Sequence, residues 1–86
     1  MPEVEIYTTP ICPYCVRAKA LFGKKGVSYK EIDVGSDPEL RDAMIRRAGG
    51  KRTVPQIFIN GHHVGGSDDL YALERRGELD RMLTPQ

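Results

Sequence analysis

Cys12-Pro13-Tyr14-Cys15 places two cysteines, separated by two residues, at the point where a predicted strand meets a predicted helix. Apolar and polar side chains alternate over residues 3–8, and Pro10 stops the alternation, which predicts a strand. Over residues 13–25 the apolar positions recur at helical spacing and glycines follow, which predicts a helix. The cysteine pair is therefore expected at the N-terminus of the first helix.

The same patterns predict which side chains are buried. The first helix is expected to bury one broad face, made of Val16, Ala18, Ala20, Leu21 and Phe22. The aromatic residues expected in the core are Tyr7, Phe22, Tyr29 and Phe58. His62 and His63 flank a predicted tight turn, so both are expected at the surface.

A second strand and a second helix follow. The weak alternation of residues 27–34 predicts the strand. Ser36 is expected to cap the helix, with Glu39 at the capping-box position and Leu40 at the start of the buried stripe. Gly49-Gly50 is expected to end this helix.

The last third of the chain predicts a hairpin and two helices. Residues 54–59 and 62–64 form two strands joined by Asn60-Gly61, a pair that favours the positive φ angles of a type I′ turn. A helix capped by Ser67 or Asp68 follows, and a short helix over residues 78–83 ends the pattern.

The order of elements is thus β-α-β-α-β-β-α-α. The first βαβ unit is expected to be parallel and right-handed, and the last two strands antiparallel. The sequence therefore predicts an α/β fold in which one four-stranded mixed sheet is flanked by helices. Residues 1–86 are enough for a single domain.

Composition excludes several classes of function. The net charge is +1, from 13 basic and 12 acidic residues, which gives no general attraction to nucleic acid. The sequence shows neither a secretory signal nor an apolar run as long as a membrane span. We therefore expect a cytoplasmic protein, in a compartment that keeps thiols reduced.

A bridge between Cys12 and Cys15 would close too small a loop to stabilise the fold much, so the pair is expected to be catalytic or metal-binding. Cys12, at the helix N-terminus, would have its thiolate stabilised by free N–H groups and the helix dipole. The thiolate is the attacking species in disulfide exchange. Cys15, one turn further in, is placed to resolve a mixed disulfide formed at Cys12.

Zinc binding is the main alternative for the pair. A tetrahedral site needs two more ligands, and His62 and His63 are the candidates. Adjacent residues on a strand point to opposite faces, which disfavours their joining one ion. The sequence therefore favours redox chemistry and predicts no metal site.

The chain resembles the dithiol glutaredoxins over essentially its whole length. The matching segments are residues 5–8, Cys12-Pro13-Tyr14-Cys15, residues 52–59, residues 65–70 and Gly77-Glu78-Leu79. The resemblance implies a thioredoxin-like fold with Cys12 as nucleophile and Cys15 as resolving thiol. It also implies glutathione as a co-substrate rather than a permanent cofactor, and a monomer acting on protein disulfides and glutathionylated proteins.

The resemblance further implies a glutathione site. Val54 would pair with the glutathione backbone next to a cis Val54–Pro55 bond, Tyr14 would lie beside the sulfur, and Thr53 would border the groove. The backbone N–H groups of Asp68 and Asp69 would bind the γ-glutamyl carboxylate, and the Asp69 side chain the ammonium group. The complete expected set is Tyr14, Arg52, Thr53, Val54, Pro55, Gly66, Asp68 and Asp69.

One position departs from the family pattern. Thr9 stands where such proteins commonly carry a lysine that binds a glutathione carboxylate, and Arg52 or Lys51 is expected to supply the cation instead. Two rival functions stay open, namely a carrier reduced by thioredoxin reductase and a dimeric iron–sulfur scaffold held by Cys12 and glutathione. Pro13 and Tyr14 weigh against the scaffold, since they crowd the position that single-cysteine family members leave open.

Overall fold

A computed structural model describes residues 2–84. The strands are β1 (Val4–Thr8), β2 (Lys30–Asp33), β3 (Gln56–Ile59) and β4 (His62–Gly65), and the helices are α1 (Pro13–Lys24), α2 (Pro38–Arg47), α3 (Ser67–Arg75) and α4 (Leu79–Leu83). The elements occur in the predicted order.

The four strands form one mixed sheet in the order β2-β1-β3-β4. β1 runs parallel to β2 and antiparallel to β3, with Ile6 opposite Ile57. β3 pairs antiparallel with β4 through a turn in which Asn60 and Gly61 have φ angles of 52° and 79°. The predicted mixed sheet and its hairpin are therefore confirmed.

Helices cover both faces of the sheet, because each central strand is apolar on both sides. One face carries Val4, Ile6, Ile57 and Ile59, which pack with Phe22 of α1 and with residues of α3 and α4. The other carries Tyr7 and Phe58, which pack with Met44 of α2 and with Val34. All four residues of β3 are buried.

Several predicted details of packing are wrong. Val16 is 59% exposed and Ala20 is also exposed, because α1 buries only the narrower stripe of Cys15, Ala18, Leu21 and Phe22. Tyr29 and Leu40 are exposed at 37% and 39%.

Two predicted helix caps are also wrong. Asp37, rather than Ser36, caps α2 by accepting hydrogen bonds from the N–H groups of Glu39 and Leu40, both at 3.1 Å. α3 begins after Gly66, which has no side chain to act as a cap, rather than after Ser67 or Asp68.

The strands β2 and β3 are shorter than the apolar patterns predicted. Within residues 2–84, none of the helices is long and apolar enough to cross a membrane.

Candidate active site

Cys12 is the N-cap residue of α1, in an extended conformation with a φ of −149°. Its Sγ atom accepts a hydrogen bond from the backbone N–H of Cys15 at 3.2 Å. Pro13 occupies the first helical position, where a missing N–H costs nothing. The first turn of α1 contains no acidic residue. The positive end of the helix dipole is therefore left free to stabilise a thiolate at Cys12.

Cys15, in contrast to the partly exposed Cys12, lies in the protein interior. It is only 1% exposed, and both cysteines are in the free thiol state. Burial, followed by a hydrogen bond with Cys12 and the neighbouring Cys12 charge, raises the pKa of the Cys15 thiol to about 12. The backbone of Thr9 and the charge of Lys19 act in the other direction. Cys15 is thus held protonated beside a more accessible sulfur.

A groove of about 360 Å³ opens beside the cysteine pair. The Cys12 Sγ atom lies 3.8 Å from the Val54 carbonyl oxygen, and Val54 is part of the groove wall. The lining residues come from α1, from the segment before and into β3, and from the start of α3: Tyr14, Lys51, Thr53, Val54, Pro55, Gln56, Gly66, Ser67, Asp68 and Asp69.

Most of the residues expected to bind glutathione line this groove. Arg52 is the exception: it is exposed, and its carbonyl oxygen accepts a hydrogen bond from the Arg41 guanidinium at 2.9 Å. Lys51, the alternative cation, lies in the groove wall. The peptide bond between Val54 and Pro55 is cis, as the resemblance implies.

The start of α3 forms one side of the groove. The N–H of Gly66 donates a hydrogen bond to the Asp69 carboxylate at 3.0 Å. Gly65 has a φ of +116°, and a Cβ atom there would overlap the Asp69 side chain, with Cγ only 2.9 Å away. Glycine is therefore required at this bend. The helix starts without a capping side chain, so its first-turn N–H groups stay available for an anion.

Two lining residues were not anticipated from the sequence. Gln56 is 1% exposed, and its position as the first, polar residue of an otherwise apolar strand was an available indication. Ser67 is 4% exposed, and within residues 2–84 its hydroxyl has no hydrogen-bond partner. The sequence predicts only a helix cap at Ser67.

His63 is half-buried rather than fully at the surface. Its ring stacks on Phe58 with centroids 4.9 Å apart, and its Nε2 atom lies 2.7 Å from the Gln56 side-chain oxygen. His62 is exposed, as expected. In the part of the chain that the structure describes, no three His, Cys, Asp or Glu side chains are grouped to hold a metal ion.

The sheet, the flanking helices and a free cysteine pair at a helix start define a thiol oxidoreductase of the thioredoxin-like superfamily. Residues 4–64 match the family model described as Glutaredoxin. Glutaredoxin 3 of Escherichia coli strain K12 is 55% identical over 83 residues, which are 96% of this chain and 99% of that protein.

Two solved structures agree with this assignment. The solution structure of glutaredoxin from Brucella melitensis is 58% identical, with a TM-score of 0.82 over 94% of this chain and 87% of that one. The crystal structure of the buckwheat glutaredoxin–glutathione complex is 36% identical, with a TM-score of 0.84 over 93% and 74%. The chain belongs to the glutaredoxin family, among its dithiol members.

Proposed function

We propose that this chain is a glutathione-dependent oxidoreductase that reduces protein disulfides and protein–glutathione mixed disulfides. The observation that carries the proposal is the position of Cys12. Its sulfur caps the N-terminus of α1, whose first turn has no acidic residue, and lies 3.8 Å from the Val54 carbonyl oxygen in the wall of the groove. The buckwheat relative, similar over 93% of this chain, was crystallised with glutathione.

Removal of glutathione from a protein needs only the first cysteine. The Cys12 thiolate attacks the glutathione sulfur of the mixed disulfide, a Cys12–glutathione bond forms, and the protein leaves as a thiolate that takes a proton. A second glutathione, as thiolate, then attacks that sulfur. Glutathione disulfide is released and the Cys12 thiolate is restored.

Reduction of a protein disulfide uses both cysteines. Cys12 attacks one protein sulfur, and Cys15 then attacks Cys12, releasing a protein dithiol and leaving a Cys12–Cys15 disulfide. Two glutathione molecules reduce that disulfide and leave as glutathione disulfide. Cys15 must lose its proton to attack. The mixed disulfide removes the Cys12 charge that helps to raise the pKa of Cys15, so the resolving thiol becomes easier to ionise at that step.

The groove matches the charges of glutathione, which has two carboxylates and one ammonium group. We assign the γ-glutamyl carboxylate to the backbone N–H groups at Asp68 and Asp69, and the ammonium group to the Asp69 carboxylate. We assign the glycine carboxylate to Lys51 rather than Arg52, because Lys51 is the one that lines the groove. Val54 and cis-Pro55 offer an extended backbone edge to the cysteinyl part, next to Tyr14.

We further infer that residues 1–86 act as one domain and as a monomer, with glutathione as a co-substrate rather than a resident cofactor. The free thiols suit the reducing cytoplasm.

The test is a pair of rates for the wild type and for Cys12→Ser and Cys15→Ser. One rate is measured on a glutathionylated peptide with glutathione and glutathione reductase, and the other on a protein disulfide. Cys12→Ser is expected to abolish both rates, whereas Cys15→Ser keeps most of the first and loses most of the second. Retention of the first rate by Cys12→Ser would reverse the order of attack.

The same preparations separate the two rival functions. A carrier fed by thioredoxin reductase would turn over with that enzyme and NADPH but show no dependence on glutathione. An iron–sulfur scaffold would be coloured as purified and would lose its visible absorbance in Cys12→Ser. Either result would replace the proposed function.

A further inference from the structure

A partly buried network of hydrogen bonds, centred on the buried Gln56 side chain, connects the edge strand of the sheet with the wall of the groove. The side-chain nitrogen of Gln56 donates hydrogen bonds to the Thr53 carbonyl at 2.9 Å and to the Thr53 hydroxyl at 3.2 Å. The side-chain oxygen of the same amide lies 2.7 Å from Nε2 of His63. Because an amide oxygen only accepts, this arrangement requires that His63 carry its proton on Nε2.

His63 is itself held in place by packing. It is the cross-strand partner of Phe58 in the β3–β4 pair, and its ring stacks on Phe58 at an interplanar angle of 29°. The Arg47 guanidinium lies 4.0 Å from the centre of the same Phe58 ring. Gln56 therefore joins a fixed aromatic ring at the sheet edge to a backbone carbonyl in the groove wall.

We propose that Gln56 and His63 are positioning residues for the groove, which hold the Thr53–Val54 backbone ready to pair with an extended peptide ligand. Thr53 and Val54 belong to no strand or helix, so no ladder of backbone hydrogen bonds fixes them. The Gln56 side chain, which donates hydrogen bonds to the Thr53 carbonyl and hydroxyl, orders this segment instead. Identifying the ligand as glutathione rests on the function proposed above, whereas the ordering of Thr53 does not.

A variant that removes only the hydrogen bond gives the sharpest test. His63→Phe keeps an aromatic ring against Phe58 but leaves the Gln56 oxygen without its donor. His62→Phe is the matched control, because His62 is the exposed neighbour on the same strand and does not line the groove. Gln56→Leu removes all the side-chain hydrogen bonds of Gln56 and serves as a second variant.

Three measurements on the reduced full chain distinguish positioning from general loss of structure. We expect His63→Phe to raise KM for a glutathionylated peptide about three- to tenfold, the effect of one neutral hydrogen bond, with little change in kcat. Its rate of Cys12 alkylation by iodoacetamide is expected to stay at the wild-type value. Backbone ¹⁵N order parameters of Thr53 and Val54 are expected to fall, and His62→Phe to match the wild type in all three.

The results separate failure of this inference from failure of the proposed function. Unchanged order parameters at Thr53 and Val54 in both His63→Phe and Gln56→Leu would overturn the positioning role. A fall in kcat and in alkylation rate together with KM would also overturn it, since that pattern means general damage. If the wild type shows no turnover with the glutathionylated peptide, the proposed function fails, and the order parameters alone decide the positioning role.

Discussion

The sulfur atoms of Cys12 and Cys15 differ in solvent access. Cys12 is partly exposed at the helix start, whereas Cys15 is buried and its pKa is raised to about 12. Only two residues separate them in sequence, so the difference in solvent access comes from the helix geometry: Cys12 caps the helix and Cys15 points into the core.

This difference predicts selective alkylation. In the reduced protein, iodoacetamide at neutral pH is expected to modify Cys12 and to leave Cys15 unmodified until the chain is unfolded. Peptide mapping by mass spectrometry after timed quenching measures each site. Equal labelling of both cysteines in the folded protein at pH 7 would contradict the assignment of nucleophile and resolving thiol.

Lys51 and Arg52 provide a second comparison between neighbouring residues. Lys51→Ala is expected to raise KM for glutathionylated peptide by a factor of about 3–10, the loss of one solvent-exposed charge-assisted contact. Arg52→Ala is the matched control and is expected to change KM less than twofold, because its side chain does not line the groove. The opposite ranking of the two variants would assign the cation to Arg52.

At the scale of helices and strands, the N-terminus of α1 combines the positive end of the helix dipole with the Cys12 thiol. Its first turn lacks an acidic side chain, in contrast to α3, which has Asp68 and Asp69 there. A carboxylate added to the first turn of α1 would oppose a thiolate at Cys12. Val16, at 59% exposed, offers a place for one without disturbing the core.

Val16→Glu is therefore expected to slow the alkylation of Cys12 at pH 7 about two- to fivefold, the size of a helix-end charge effect. Ala20→Glu, one turn further along the same exposed face, is the control and is expected to have a smaller effect. Raising the salt concentration to 1 M should reduce the difference between the variants, because salt screens exposed charges. Equal rates for both variants at low salt would show that the helix start does not activate Cys12.

The sequence predicted which helices and strands form better than it predicted their ends and their buried faces. Asn60-Gly61 fixed the hairpin because few other residue pairs adopt two positive φ angles. The sequence predicts the α2 cap at Ser36 instead of Asp37 because both residues are good caps, and the choice depends on the path of the chain before the helix. The sequence predicts a buried Val16 because apolar spacing does not show how wide a face of α1 the sheet covers.

The candidate active site was likewise predictable only in part. Cys12 and Cys15 were recognisable from their spacing and their place at a helix start. The contacts of Gln56 were not, because its two hydrogen-bond partners lie three and seven residues away, on a loop and on the next strand. Sequence patterns describe periodicity along one element and contain no information about such contacts between elements.

At the scale of the whole molecule, His63 links stability to pH. Burial first, then the positive charges of Lys51, His62 and Arg47, lower the pKa of His63 from its ordinary 6.5, and Asp69 opposes them only in part. Well above pH 6.5 the imidazole is neutral in both folded and unfolded chains. As the pH falls through 6.5, the unfolded chain binds the proton first, so the free energy of unfolding decreases.

The wild type is therefore expected to lose stability between pH 7.5 and about pH 5.5, as measured by urea unfolding at fixed salt concentration. His63→Phe should have a flatter profile over this range, even if its stability at pH 7.5 is lower. Loss of stability below pH 4.5 is expected in both proteins, because Lys19 and Thr8 hold the pKa of Glu31 below its ordinary value of 4.5. Parallel profiles for the two proteins above pH 5.5 would contradict the role given to His63.

The two helices that begin at the groove are also joined to each other. The Tyr71 hydroxyl of α3 donates a hydrogen bond to the Arg17 carbonyl of α1 at 3.0 Å, and the Arg17 guanidinium lies 5.3 Å from the centre of the Tyr71 ring. These contacts between α1 and α3 therefore fix the distance between the Cys12 sulfur and the first N–H groups of α3. Under the proposed assignment of glutathione, this fixed spacing is expected to select ligands by length: a tripeptide with β-aspartyl in place of γ-glutamyl, one methylene shorter, should bind less tightly than glutathione.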